Sequence, residues 1–138
     1  MKVLLDTNII MDALQERQPF DVEAKEILKH SQTDDRINCL FTANAVTDIF
    51  YLYSKARDLK SAKIALEFLL SNYNVISITH EDCINALSLT VDDFEDALVV
   101  ACAIKSEVDY IVTRDDKFLR VTLPIKTIHP KDLVNMLL

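Results

Sequence analysis

The sequence predicts an α/β fold: a three-layer sandwich with a mainly parallel central sheet of four to five strands flanked by helices. Three observations point there. Short apolar runs alternate with stretches that carry apolar residues at helical spacing. The composition, 50% apolar and 27% charged, is that of a chain with a packed core. No linker, repeat or low-complexity tract divides the 138 residues, so 1–138 is read as one domain.

Lys2–Leu5 reads as a buried strand ended by Asp6. A helix follows from Asn8 to about Gln15, with Thr7 as its expected cap, and Pro19 breaks it. Asp21 is placed to cap a second helix with Val22, Ala24, Ile27 and Leu28 on its inner side. After the polar loop Ser31–Arg36, Ile37–Phe41 is the second strand. Thr42 opens a helix whose apolar stripe is Ala45, Ile49, Leu52, Tyr53 and Ala56. Another helix runs from near Asp58 to Ser71, and Asn74–Ile78 is a third strand.

Thr79 to Asp82 has the form of a capping box opening a short helix. Val91–Phe94 leads into a helix through Ser106 that is apolar on every side from Ala97 to Ile104, so it is expected to be buried, with Asp93 as its cap. Tyr110–Thr113 and Ile125–Ile128 are the fourth and fifth strands, and His129-Pro130 opens a terminal helix.

Composition excludes several chemistries. The chain has no Gly, so it has no Walker A loop, no G-x-G-x-x-G turn and no G-x-S-x-G elbow. Phosphate chemistry would have to use side chains and ions. Cys39, Cys83 and Cys102 are an odd number without a C-x-x-C, which supports neither a disulfide framework nor a Cys-rich zinc site. The N-terminus lacks the pattern of a signal peptide, and the run Ala97–Ile104 is too short to cross a bilayer. A cytoplasmic protein without membrane contact is expected. Net charge is −7. That opposes nucleic-acid binding unless carboxylates gather around divalent cations, which reverse the local field.

In parallel sheets ligands bind outside the carboxyl ends of the strands, and acids recur at those places. Asp6 follows the first strand, where it could also cap the next helix. Asp115 and Asp116 follow the fourth through Thr113-Arg114, where a turn would account for them equally. Asp96 enters the apolar helix and needs a partner, because an unpaired buried carboxylate is costly. Glu95 is expected to face solvent. Asp48 flanks the stripe of its helix. Carboxylates sharing a pocket stay ionised together only around a cation. Oxygen ligands without His or Cys favour Mg²⁺ or Mn²⁺ over zinc. Such a site suits displacement at phosphorus.

Four segments in order carry a resemblance: Val3-Leu4-Leu5-Asp6-Thr7-Asn8, then Val46-Thr47-Asp48-Ile49-Phe50-Tyr51, then Phe94-Glu95-Asp96-Ala97-Leu98, then Ile111-Val112-Thr113-Arg114-Asp115. Over essentially its whole length the chain resembles the PIN-domain family, and in size the VapC-type toxins of bacterial toxin–antitoxin pairs. The resemblance implies an endoribonuclease dependent on Mg²⁺ or Mn²⁺, usually a homodimer and often inhibited by a small antitoxin. Carried over by position, Asp6, Asp96 and Asp115 are metal ligands, with Asp116 as a substitute for Asp115. Asp48 stands where many relatives carry Glu and acts directly or through water. Thr7, Asn8 and Thr113 orient the ligands. Asn8 or Arg114 is expected to hold a phosphate oxygen.

Lys55, Arg57, Lys60, Lys63, Arg114, Lys117 and Arg120 are candidate RNA contacts, or simply solvated faces. Tyr51 is a candidate base-stacking or interface residue and Tyr53 a core residue. Two other classes compete with the nuclease. One is a catalytically inactive PIN-like binding module, which an intact acid set opposes. The other is a receiver-like phosphoryl-accepting domain, which the lack of an acid after the third strand opposes.

Overall fold

The computed structural model describes residues 1–120 and 123–138. Its strands are β1 (Lys2–Leu5), β2 (Asn38–Thr42), β3 (Asn74–Ile76), β4 (Tyr110–Val112) and β5 (Thr127–Ile128). They form one sheet in the order β3-β2-β1-β4-β5, and every neighbouring pair is parallel. The helices are α1 (Thr7–Leu14), α2 (Asp21–Thr33), α3 (Ala43–Ala56), α4 (Leu59–Asn72), α5 (His80–Leu87), α6 (Phe94–Lys105), α7 (Asp116–Arg120) and α8 (Pro130–Leu137). The three-layer α/β fold expected from the sequence is the fold observed.

The two-residue period of a strand explains the layers. Val3 and Leu5 of β1 point to one face, into a core with Ile9, Ile10, Ile27, Phe41, Ile49, Leu69 and Leu133. Leu4 points to the other face, where it meets Val100, Cys102 and Ala103 of α6 and Ile111 of β4. Full burial of each such Leu or Ile contributes about 1.5–3 kcal/mol. The free thiols Cys39 and Cys102 are buried among these apolar groups, and burial pushes both up to about 11. Among the described residues no helix is long and apolar enough to cross a membrane.

Local signals decide most boundaries. Thr79 and Asp82 form the expected capping box of α5, and Asp93 caps α6 by accepting the Asp96 N–H. Two expectations are corrected at other helix starts. Asp6, not Thr7, caps α1, and the helix begins one residue earlier than the pattern suggested. Asp21 lies inside α2, where it is buried and paired with Lys25 at 3.2 Å, and Val22 is 62% exposed instead of facing the core. The short helix α7 was not expected. It starts directly after Asp115 and carries Phe118 into the second core.

Chain order runs from β1 outward to β2 and β3, then returns to β4 and β5 on the other side. The point where direction reverses lies between β1 and β4. Crevices in open α/β sheets form there, outside the carboxyl ends. Asp6 leaves β1 and Thr113 leaves β4 at that point.

Candidate active site

Asp6 is the best-anchored acid. Its Oδ1 accepts the Thr7 N–H at 2.8 Å, and its Oδ2 accepts from Thr113 Oγ1 at 2.8 Å and from Asn8 Nδ2 at 3.2 Å. One carboxylate therefore caps α1 and ties the end of β1 to the end of β4. Burial pushes its pKa above the ordinary range, and the charge of Asp115 adds to the rise. The bonds from Thr113 and Thr7 oppose it. Thr113 is fully buried and also accepts the Asp115 N–H at 3.1 Å, so one hydroxyl fixes two acids. Lys117 N–H then donates to Asp115 Oδ1 at 3.0 Å.

A groove of about 440 Å³ opens over these groups. It brings together Asp6, Thr7 and Asn8 from the β1–α1 junction, Asp48, Tyr51 and Leu52 from α3, Asp93, Glu95 and Asp96 from the start of α6, and Asp115 after β4. The four acids singled out in the sequence, Asp6, Asp48, Asp96 and Asp115, thus face one space. Asp116 instead opens α7.

The groove is a site of strong like-charge repulsion. Asp96 is pushed up to about 6, first by burial and then by Asp93, Asp6 and Asp115. Glu95 is exposed, as expected, and it also lines the groove. Partial burial and then the neighbouring Asp48 carboxyl raise it to about 7. Two carboxyls approach in this way only when they share a proton or a cation.

The donor set fits a hard divalent cation. It is rich in carboxylate oxygen, and no His or Cys is among the described lining residues. The buried Asn8 Oδ1 has no hydrogen-bond partner and lies beside Asp6. Among the described residues no three His, Cys, Asp or Glu side chains stand close enough together to hold a metal ion as placed.

Arg114 departs from its expected role. It does not reach toward the groove as a free phosphate hook. It donates to Asp12 from Nε at 2.7 Å and from Nη2 at 3.1 Å, and it lies over the Phe20 ring at 4.1 Å. Asp12 is fully buried. The sequence reading missed it, although a lone acid between Met11 and Ala13 in an apolar helix already demanded a partner. The reading also missed Arg17, which lines the groove. Among the expected basic contacts, Lys55 lies over Tyr51 and Arg57 over Tyr53, while Lys60 and Lys63 sit on exposed positions of α4. Lys117 lines a smaller cavity that shares Asp93 and Asp96 with the groove, and Arg120 is exposed at the end of α7.

A larger hollow of about 580 Å³ between α5 and α6 is a less chemical place. There Lys105 Nζ donates to Asp82 at 2.5 Å and to the Ser77 carbonyl at 2.7 Å, so its charges are already satisfied.

No curated protein matches the sequence at a significant level. Solved structures share the fold at low identity. A toxin–antitoxin complex from Klebsiella pneumoniae is 22% identical with a TM-score of 0.69, covering 93% of this chain and 97% of that one. DNA-bound VapBC from Salmonella typhimurium is 14% identical with a TM-score of 0.70, covering 94% and 98%. VapC20 of Mycobacterium tuberculosis, a toxin that cleaves the sarcin–ricin loop, is 15% identical with a TM-score of 0.66, covering 84% and 92%. The family model of the PIN domain matches residues 2–117, from the first strand through the loop that carries Asp115. On that match, the chain belongs to the PIN-domain family.

Proposed function

We propose that the chain is an endoribonuclease dependent on Mg²⁺ or Mn²⁺ that hydrolyses RNA phosphodiester bonds. The observation that carries this reading is the convergence of Asp6, Asp48, Asp96 and Asp115 on one groove at the switch point of a parallel sheet. Asp6, Asp96 and Asp115 would hold the cation, with Asp48 direct or through water. When bound, it supplies positive charge at the phosphate and a more acidic water.

The chain's own groups do the rest. Thr7, Asn8 and Thr113 fix both oxygens of Asp6. Glu95, raised to about 7, is a carboxyl on the groove suited to take up or give a proton near neutral pH. Asp93 keeps Asp96 in place by capping α6 at its N–H. Tyr51, exposed on the groove wall, offers an aromatic face to a base.

The same reading makes the protein the toxin of a toxin–antitoxin pair acting in the cytoplasm, with a small antitoxin and a second copy of the chain as partners. The solved relatives that are toxin–antitoxin complexes support it. So do the exposed apolar side chains Leu52, Leu59, Ile64 and Phe68 on α3 and α4.

Asp6→Asn tests the reading. The variant should lose metal-dependent RNA cleavage while its circular dichroism stays that of the wild type. Cleavage at the wild-type rate overturns the mechanism. RNA bound but never cleaved by the wild-type chain, with Mg²⁺ or Mn²⁺ present, would favour the inactive binding module instead.

A further inference from the structure

Arg17 is the one basic side chain among the described residues lining the acidic groove. Its position is built into the turn after α1. Glu16 takes φ 52°, a left-handed conformation that side chains disfavour. The turn lets the Arg17 N–H bond the Asp12 carbonyl at 3.1 Å and the Arg17 carbonyl accept from Asp21 N–H at 2.9 Å. Both backbone groups are thereby held at the groove's edge.

The guanidinium is left with spare capacity. Its nearest carboxylate is Asp12, 3.7 Å from Nη1, which is beyond hydrogen-bond reach. Asp12 already takes two short bonds from Arg114. Nε makes one long contact, 3.4 Å, to the neutral Gln15 Oε1. The side chain is 36% exposed. One guanidinium charge thus balances Asp12, and a second stands beside the groove with donors to offer.

We propose that Arg17 is the substrate contact of this groove and holds a non-bridging oxygen of a single-stranded RNA phosphodiester beside the carboxylates. The inference rests on the nuclease reading above. An acidic groove repels a phosphodiester, and a planar fork of N–H donors on its rim is suited to receive one. If Arg17 were only a distant counterion for Asp12, its replacement would change stability and leave RNA binding untouched.

The test compares Arg17→Gln and Arg17→Lys. In an Asp6→Asn background with Mg²⁺ present, binding of a fluorescent single-stranded RNA is followed by anisotropy over a KCl series. Arg17→Gln should weaken binding by about tenfold and reduce the slope of log affinity against log salt by about 0.7, the share of one phosphate contact. Arg17→Lys should keep the slope and recover part of the affinity. In the otherwise wild-type chain, Arg17→Gln should lower kcat/KM for RNA cleavage. Equal affinity and slope with and without Arg17, or unchanged cleavage by Arg17→Gln, overturns the assignment and leaves the nuclease reading standing. A wild-type chain that neither binds nor cleaves RNA overturns both.

Discussion

Arg114 donates to both carboxylate oxygens of Asp12, at 2.7 and 3.1 Å, across a separation of 102 residues. The pair joins the middle of α1 to the loop that leaves β4. Arg114 lies between Thr113, which holds Asp6, and Asp115, so fixing its guanidinium fixes both neighbours. The acid is buried, and its partly buried partner is stacked on Phe20.

Asp12→Asn should therefore be costly despite its shape. It leaves Arg114 without its counter-charge in a partly buried place, an arrangement that destabilises by about 3 kcal/mol. The urea midpoint should fall, and metal-dependent RNA cleavage should fall with it, because Thr113 and Asp115 lose their brace. An unchanged midpoint would mean that the pair contributes nothing to holding the loop.

Asp96 gives a prediction with a definite sign. Burial and then the charges of Asp93, Asp6 and Asp115 raise it to about 6, against an ordinary value of 3.8. The folded chain thus binds this proton more tightly than the unfolded chain. The group's contribution to stability is present below about pH 4 and is lost as pH rises through about 6. Asp96→Asn removes the ionised form. In EDTA at about pH 8 its Tm should exceed that of the wild type by about 3 °C, and the two should converge near pH 4. Saturating Mg²⁺ should reverse the order, since a cation favours ionised Asp96. A variant less stable than the wild type in EDTA at the higher pH would show that Asp96 is not under repulsion.

Much of this was legible in the sequence because it depends on local pattern. Alternation of apolar runs with helical stripes fixes the layered sheet. The strand-then-acid arrangement puts Asp6 and Asp115 at its carboxyl edge. Caps at Asp93 and Thr79 follow from neighbours three residues away. The misses depend on distance or direction. Asp12 and Arg114 find each other only once the sheet order is known. Glu95 faces solvent, as its helical spacing from Asp96 suggests, but Asp48 of α3 lines the same groove, a neighbour that local pattern does not reveal. Arg17 reaches the groove through a left-handed residue at Glu16, which no propensity marks. Val22 was misplaced because residues two apart do not share a helix face, so it lies away from Ala24, whose side Ile27 and Leu28 share.

Thr113 supplies the last prediction. Its hydroxyl donates to Asp6 Oδ2 and accepts the Asp115 N–H, and it has no exposure to solvent. Thr113→Val keeps the shape and removes both bonds, which should cost about 1–2 kcal/mol in urea denaturation. The Thr113 bond is the largest influence holding the Asp6 carboxyl down against burial. Without it the carboxyl pKa rises, and the acid limb of the cleavage profile should move to higher pH, with a greater loss of activity near pH 6 than near pH 8. Thr113→Ser restores the donor and should return the limb to its place, which a purely packing role for the Thr113 methyl would not allow. An acid limb that stays where it is in Thr113→Val would mean that ionisation of Asp6 does not set it.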